Sequence, residues 1–303
     1  MSGKTCLITG ATSGIGEAAA RELARRGAAV VIVGRSRERC AATVESIQRE
    51  TGNTSVEFLV ADLSSQMQVR QLAREFLERH SRLQVLINNA GALFERRTES
   101  VDGIEMTLAL NHLAYFLLTS LLLETLQHSA PARIVNVSSS AHDDVRAFDF
   151  DDPQADHRRP AYGQSKFASL MYTLAIPWAH PAVVQYAQTK LANLLFTAEL
   201  ARRLAGTAVA VNALHPGFVA TGFTSGNGAL GWFMRRWASI VGISPVDGAR
   251  TVVHLACSSE VEGVTGQYFI KEKPAVPSEA ARDIAAASRL WRLSEDWTAL
   301  PRQ

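Results

Sequence analysis

The chain has 303 residues, of which 47% are hydrophobic, and its 31 Lys and Arg residues are nearly balanced by 29 Asp and Glu residues. A formal net charge of +2 gives no reason to expect nucleic acid as the main partner. Strand-like and helix-like segments alternate from Thr5 to about Phe269 without a linker, a low-complexity tract or a charge block. We therefore predict one α/β domain over residues 1–303.

The cysteines and the N-terminus indicate a reducing compartment. Cys6, Cys40 and Cys257 lie far apart and have no His or Cys neighbours at ligand spacing, so we predict neither a disulfide framework nor a metal site. The first four residues lead directly into a predicted strand, so we expect no secretion signal. No stretch has the roughly 18 consecutive apolar residues of a membrane span. We expect a cytoplasmic protein without such a span.

The first strand and helix enclose a glycine-rich turn. Thr5–Thr9 is a short apolar run, and helical spacing follows from Glu17 to Arg26. Glycines between them let a backbone approach a pyrophosphate at the positive N-terminus of the helix. This strand, turn and helix predict a dinucleotide site. Its candidate residues are Gly10, Ser13, Gly14, Ile15 and Gly16.

Arginines follow the second predicted strand, Ala29–Val33, where dinucleotide folds contact the adenosine ribose. An acidic residue there would hydrogen-bond a free 2′-hydroxyl, whereas Arg35 matches a 2′-phosphate in charge and in planar donor geometry. Arg39 would share its face if a helix begins here, and Arg37 is expected to face solvent. This pattern favours NADP over NAD; the alternative is a solvated cluster of arginines.

Two further strands complete the pattern by which the chain resembles a known family. Glu57–Ala61 leads to Asp62-Leu63, and Leu83–Ile87 leads to Asn88-Asn89-Ala90-Gly91. With these residues the chain resembles the short-chain dehydrogenase/reductase family, nearest its retinol dehydrogenase-like branch, over nearly its whole length. Further matches are Asn111-His112-Leu113, the strand Ile134 to His142, His215-Pro216-Gly217, Ala281-Arg282-Asp283 and Leu290-Trp291.

The resemblance implies a Rossmann-type doubly wound parallel sheet with helices on both faces, and a set of site residues. The implied cofactor contacts beyond the glycine turn and arginines are Asp62, Leu63, Asn89, Ala90, Gly91, Lys190, Pro216 and Gly217. Catalysis in the family uses a tyrosine acid/base, a lysine, a serine and an asparagine, which here implies Asn111 and Ser139. The adjacent Ser138 and Ser140 would then bond the backbone.

The tyrosine and lysine occur twice, as Tyr162 with Lys166 and as Tyr186 with Lys190. Both pairs have the i, i+4 spacing that places them on one helical face, where the ammonium can favour the phenolate. Tyr, Gln, Lys, Ala, Leu and Thr recur in step at an offset of 24 residues (162 to 186), which indicates a local duplication.

The two pairs satisfy different spacing rules. Tyr162 follows Ser139 by 23 residues (139 to 162), the usual family spacing, but two prolines after residue 176 would end its helix. Tyr186 begins an uninterrupted helical run that leads directly to the next strand. We favour Tyr186 and Lys190 as the catalytic pair, with about residues 160–185 as an inserted helical segment, and keep Tyr162 and Lys166 as the alternative.

The predicted substrate side is rich in large apolar residues. In the family, about residues 218–245 would form a lid over the substrate, and this stretch contains Phe218, Phe223, Trp232, Phe233, Met234 and Trp237. A lipophilic alcohol or carbonyl compound is therefore predicted as the small-molecule substrate. Alternatives are a reductase of a small polar ketone or sugar, and a catalytically silent NADP-binding protein. The family resemblance also implies a homo-oligomer.

Overall fold

The strands form one continuous sheet in the computed structural model, which describes residues 1–157, 180–217 and 243–300. The strand order is 3-2-1-4-5-6-7-8, and all neighbouring pairs are parallel except the last. The order reverses between β1 and β4, where open α/β sheets bind ligands. The strands are β1 (Thr5–Thr9), β2 (Ala29–Gly34), β3 (Val56–Val60), β4 (Val85–Asn88), β5 (Ala132–Val137), β6 (Val209–His215), β7 (Tyr268–Ile270) and β8 (Lys273–Ala275).

Helices cover both faces of this sheet because its strands are nearly continuous apolar runs that must be buried on both sides. The helices are α1 (Gly14–Arg25), α2 (Arg37–Thr51), α3 (Gln66–Arg79), α4 (Met106–His128), α5 (Pro181–Arg203), α6 (Pro245–Cys257) and α7 (Ile284–Trp297). One core contains α1, α2 and α6, and the other contains α3, α4, α5 and α7. The predicted doubly wound α/β fold is confirmed.

Helix α4 is the most apolar helix among the described residues. By length and composition it could cross a membrane, but 72% of its most apolar window is buried inside the protein, as in a core helix. Polar residues such as Asn111, His112 and Thr119 interrupt its apolar run, which is why a search for consecutive apolar residues passes over it.

Helix α5 begins earlier than the sequence pattern predicted. Pro181 occupies the first helical turn, where its missing N–H and fixed φ cost nothing. His180 caps this end, because its Nδ1 accepts from the backbone N–H of Ala182 at 3.2 Å. Pro181, one of the two prolines predicted to end the helix of the first copy, is therefore the first residue of the helix that carries Tyr186. The first copy, with Tyr162 and Lys166, lies outside the described residues, as do residues 218–242 of the lid predicted for about 218–245.

Trp291 of α7 joins the helices of one core. Its ring lies 5.0 Å from Phe116 of α4 and 5.9 Å from Phe196 of α5, measured between ring centroids. The Arg203 guanidinium lies 4.1 Å from the ring centroid, and the indole Nε1 donates to Glu295 at 2.6 Å. The C-terminal helix is thereby packed against the helix that carries Tyr186 and Lys190.

Replacing Trp291 with alanine should lower the free energy of unfolding by about 3–5 kcal/mol, because it leaves a large cavity among aromatic rings. Urea unfolding followed by circular dichroism measures this change. Met67→Ala is the control, since Met67 is 67% exposed and should change stability by less than about 0.5 kcal/mol. Similar losses in both variants would contradict the assignment of Trp291 to the core.

Candidate active site

The glycine turn is shaped for close backbone approach. Gly10 has φ +65°, and a Cβ on it would lie 2.7 Å from the Cα of Ala90. A Cβ on Gly16 would lie 2.5 Å from both the Gly10 carbonyl oxygen and the Asn89 amide nitrogen. Both positions therefore exclude any side chain, and the turn presents bare backbone to the crevice at the strand-order reversal.

The first turn of α1 keeps its N–H groups free of a side-chain cap. Ser13 is its N-cap in extended conformation but makes no capping hydrogen bond, whereas the N-cap serines of α2 and α3, Ser36 and Ser65, both accept one. Uncapped donors at the positive end of a helix dipole form an anion site. Gly14, Ile15 and Gly16 thus fit the pyrophosphate of a dinucleotide.

Thr9 holds the loop after β4 against this turn, a role that the sequence analysis missed. Its Oγ1 accepts from the backbone N–H groups of Asn89 and Ala90 at 2.9 and 3.1 Å. The Asn89 amide donates in return to the carbonyls of Thr9 and Gly10 at 2.8 and 3.1 Å. The predicted cofactor residues of both loops, Gly91 included, therefore lie at one edge of the sheet.

The arginines lie beside the glycine turn, but not on one helical face as predicted. Helix α2 begins at Arg37 with Ser36 as its cap, so Arg35 precedes the helix and the i, i+4 argument for Arg35 and Arg39 is wrong. Arg39 nevertheless donates to the Thr12 carbonyl at 3.2 Å and so reaches across to the glycine turn. Arg37 is exposed, as predicted, and its guanidinium lies over the Phe58 ring at 5.6 Å.

The remaining predicted cofactor residues follow the carboxyl ends of β3 and β6. Asp62 follows β3, and its Oδ1 accepts from the Ser64 N–H and hydroxyl at 3.0 and 2.7 Å. The neighbouring Leu63 is buried. Pro216 and Gly217 follow β6, and Gly217 has φ +93°, with Ile243 2.6 Å from where a Cβ would stand.

The three serines after β5 have distinct partners. Ser139 is the N-cap of the 3₁₀ turn Ser140–Asp144, and its Oγ accepts from the Ala141 N–H at 3.2 Å. Ser138 donates to the Lys190 carbonyl at 2.8 Å, and the Ser140 N–H donates to Nδ1 of His215 at 3.2 Å. Of the three hydroxyls, Ser138 is thus used to hold α5, and Ser139 lies beside Tyr186.

Tyr186, Lys190, Ser139 and Asn111 are brought together at this edge. The Lys190 ammonium donates to the Val137 carbonyl at 3.1 Å and lies 5.3 Å from the Tyr186 ring centroid. The Ser139 hydroxyl hydrogen-bonds Tyr186. Lys190 Nζ and Asn111 Oδ1 both lie within 4 Å of the point where a Cβ on Gly91 would stand. The second copy of the repeated phrase therefore adjoins both the serine and the cofactor loop.

Asn111 is held by both ends of its amide. It lies in the π-helical turn Ala109–Leu113 of α4, and its side chain pairs with the backbone of Ala92, accepting from N–H and donating to C=O at 2.9 Å each. Its side-chain amide also donates to the Thr189 hydroxyl at 3.2 Å, and its backbone carbonyl accepts from the Asn193 side-chain amide at 2.9 Å. Thr189 and Asn193 flank Lys190 on α5, a relationship that single motifs did not reveal.

Burial is the main cause of the pKa shifts of Tyr186 and Lys190. It raises the pKa of Tyr186, while the hydrogen bond with Ser139 lowers it. Burial lowers the pKa of Lys190 from 10.5 to about 7. The i, i+4 spacing predicted that the lysine charge would favour the phenolate. In the structure the pKa of Tyr186 is instead raised, because desolvation disfavours the charged forms of both Tyr186 and Lys190.

Comparison with known proteins gives this arrangement a context. A family model described as short chain dehydrogenase matches residues 4–180. Retinol dehydrogenase 12 of Mus musculus is 40% identical over 292 residues, covering 96% of this chain and 85% of the relative. Retinol dehydrogenase 11 of Homo sapiens is 38% identical over 299 residues, covering 99% and 87%. The chain belongs to the short-chain dehydrogenase family.

Within the short-chain dehydrogenases, these relatives place it in the retinol dehydrogenase-like branch, as predicted, and make it an alcohol or carbonyl oxidoreductase that uses a nicotinamide cofactor. A solved structure of an uncharacterized protein from Mycobacterium paratuberculosis superposes with a TM-score of 0.72 at 31% identity, covering 99% of this chain and 96% of that one. The Pseudomonas aeruginosa RhlG/NADP active-site complex gives 0.66 at 25% identity, covering 93% and 97%.

The shifted pKa of Lys190 should make stability depend on pH. Between about 7 and 10.5 the unfolded chain holds the lysine proton and the folded chain does not, so unfolding takes up a proton and stability rises with pH. Lys190→Met lacks this contribution. The melting temperature of wild type relative to Lys190→Met should therefore increase from pH 7 to pH 9.

Lys273→Met, at an exposed lysine, is the matched control and should show no such trend relative to wild type. Melting curves at pH 7, 8 and 9 by differential scanning fluorimetry measure all three proteins. Parallel curves for wild type and Lys190→Met would show that burial does not disfavour the Lys190 charge.

Proposed function

We propose that the protein transfers a hydride between NADP and a lipophilic alcohol or carbonyl compound, with Tyr186 as the acid/base. The observation that carries this proposal is the juxtaposition of Tyr186 and Lys190 on α5 with Ser139 after β5, beside the loop that contains Gly91. Hydride chemistry belongs to the bound nicotinamide, and the protein supplies binding, orientation and proton transfer.

Ser139 is arranged to bind a substrate oxygen. Its Oγ is fixed as an acceptor by the Ala141 N–H, and it adjoins the Tyr186 hydroxyl. Two hydroxyls side by side can bind one alcohol or carbonyl oxygen, the serine as a hydrogen-bond partner and the tyrosine as the group that gives or takes the proton. A tyrosine at this position acts as an acid in carbonyl reduction and as a base in alcohol oxidation.

Lys190 assists the tyrosine without bonding it directly. Its ammonium is held by the Val137 carbonyl, 5.3 Å from the Tyr186 ring, so that its charge favours the phenolate when the lysine is protonated. With a pKa of about 7, Lys190 gains or loses a proton near neutrality. The charge that assists the tyrosine therefore depends on pH near neutrality.

An apolar surface next to Tyr186 supports a lipophilic substrate. Leu93 and Ala182 are buried together, with Val183 and Tyr186 packed against them. Retinol, which names the relatives of this chain, is a lipophilic alcohol of the kind that such a surface would accept. We propose that Leu93 and Val183 form part of the substrate wall.

The catalytic assignment predicts opposite results for the two tyrosines of the repeated phrase. Tyr186→Phe should lower kcat by roughly 10²- to 10⁴-fold, because the acid/base is lost, while NADPH binding is retained. Tyr162→Phe, its matched control, should keep wild-type activity. NADPH oxidation is measured with aliphatic and aromatic aldehydes, retinal and a small hydroxyketone.

Loss of activity only in Tyr162→Phe would transfer the acid/base role to the first copy. Turnover of the hydroxyketone alone would favour the small polar substrate. Tight NADPH binding by a wild-type protein that reduces none of these compounds would favour the catalytically silent alternative.

The choice of cofactor depends on Arg35 and Arg39. Losing a charge-assisted hydrogen bond to a 2′-phosphate should weaken NADPH binding roughly 10- to 100-fold in Arg39→Ala or Arg35→Ala and leave NADH binding nearly unchanged. Fluorescence titration measures both dissociation constants. Arg37→Ala is the control, because that guanidinium lies over Phe58. Equal weakening for both cofactors would contradict a role in recognising the 2′-phosphate.

A further inference from the structure

His142 lies directly behind the serine that the proposed function uses. Its side chain is 1% exposed, and its Nδ1 lies 2.7 Å from the Ser139 carbonyl oxygen. The same carbonyl accepts from the His142 backbone N–H at 3.3 Å. One residue therefore holds the Ser139 peptide through two donors, immediately next to the hydroxyl that adjoins Tyr186.

The partners of the ring define its tautomer. A carbonyl oxygen accepts only, so Nδ1 must carry the proton that it donates to Ser139. Nε2 accepts from the Ser278 backbone N–H at 3.2 Å, so it must be unprotonated. Both bonds form together only in the neutral Nδ1–H imidazole.

A competing partner makes the Ser278 N–H important. Asp143 Oδ1 also lies 3.2 Å from Nε2, and an Nε2–H tautomer would donate to that carboxylate and leave the Ser139 carbonyl without its side-chain donor. The Ser278 N–H opposes this exchange because it needs an acceptor at the same nitrogen. The backbone at Ser278 thus acts on the imidazole as an orienting group does on a catalytic histidine.

Ser278 belongs to a segment that also contacts the tyrosine helix. We call residues 276–283 the C-terminal strap. Ala281 of the strap is buried in one cluster with Leu191 and Leu194 of α5. The strap therefore connects the helix that carries Tyr186 and Lys190 to the turn that carries Ser139, and His142 is the link on the serine side.

Packing of the strap against the serine turn buries polar groups. Within the part of the chain that the structure describes, the hydroxyls of Ser278 and Tyr268 are buried without a hydrogen-bond partner. The Tyr268 ring lies edge-on to His142 at 5.2 Å. Unpaired buried hydroxyls oppose docking. The bond from the Ser278 N–H to His142 is a polar contact that holds this part of the strap against the serine turn.

We propose that His142 is a positioning residue: its Nδ1–H orients the Ser139 peptide for catalysis, and the Ser278 N–H of the C-terminal strap holds the imidazole in the tautomer that this requires. The inference rests on the proposed role of Ser139. It assigns His142 no contact with substrate or cofactor, and its effect should therefore fall on kcat and leave binding unchanged.

Two pairs of variants test the hydrogen bonds of the imidazole, one pair for the bond at Nδ1 and one pair for the bond at Nε2. His142→Gln places an amide near the Nε2 position and loses the donor to Ser139, whereas His142→Asn keeps an N–H near the Nδ1 position. Ser278→Pro removes the backbone donor, and Ser278→Ala removes only the unpaired hydroxyl. Steady-state NADPH oxidation with the best aldehyde gives kcat and KM, and fluorescence titration gives the dissociation constant of NADPH.

We expect kcat to fall roughly 10- to 100-fold in His142→Gln and about 10-fold in Ser278→Pro, with KM and NADPH binding within about 3-fold of wild type. His142→Asn should recover most of the loss, and Ser278→Ala should match wild type. Unchanged kcat in His142→Gln, equal losses in His142→Asn and His142→Gln, or equal effects of the two Ser278 variants would overturn the proposal.

A measurement independent of turnover separates this inference from the proposed function. Imidazole ¹⁵N shifts of His142, assigned by comparison with His142→Asn, should show the Nδ1–H tautomer in wild type and in Ser278→Ala, and its loss in Ser278→Pro. An Nε2–H tautomer in wild type would overturn the inference even if the enzyme is active. The expected shifts in a protein that reduces no substrate would instead count against the proposed function alone.

Discussion

Two buried hydrogen bonds between β5 and α5 set the register on which the site depends. Ser138 donates to the Lys190 carbonyl, and the Lys190 ammonium donates back to the Val137 carbonyl. A slip of one helical turn would move Tyr186 about 5.4 Å along the helix axis and away from Ser139. The bonds therefore fix the distance between the two hydroxyls before any ligand is present, and the aromatic packing of Trp291 supports the same helix from its other side.

The burial of Lys190 opposes the charge by which it would assist Tyr186. A lysine that is held by one carbonyl in a water-poor site has a lowered pKa, yet its charge is what favours the tyrosine phenolate. A nicotinamide cofactor bound beside Lys190 would change this balance, because its ring and phosphates carry charges of their own. In the protein alone, the lowered pKa of about 7 lets Lys190 be charged or neutral near neutral pH.

Much of the fold and the composition of the site could be predicted from the sequence. The apolar strand runs and the Gly10 to Gly16 turn are local signals, since each depends on a few neighbouring residues, and the structure has them in the predicted order. Pro181 was misread because a proline is compatible with the first turn of a helix as well as with its end. The prediction that Arg35 and Arg39 share a helical face was wrong for a similar reason, because it depended on the position of one helix boundary.

Properties that depend on distant residues could not be read in this way. The pairing of Asn111 with Ala92, the upward pKa shift of Tyr186 and the bond from Ser278 to His142 each need the tertiary structure. No motif spacing encodes burial or the choice of an imidazole tautomer. His142 lies within the predicted serine motif, but Ser278, which donates to its ring, is 136 residues away in the sequence.

The start of α5 has a consequence for how the chain can vary. His180 and Pro181 form a complete initiation signal, so the helix needs no residue before position 180 to define where it begins. Changes of length upstream of that point are therefore not transmitted as a rotation or translation of Tyr186. A second Tyr-x-x-x-Lys phrase upstream of residue 180 is therefore compatible with the geometry described for Tyr186 and Lys190.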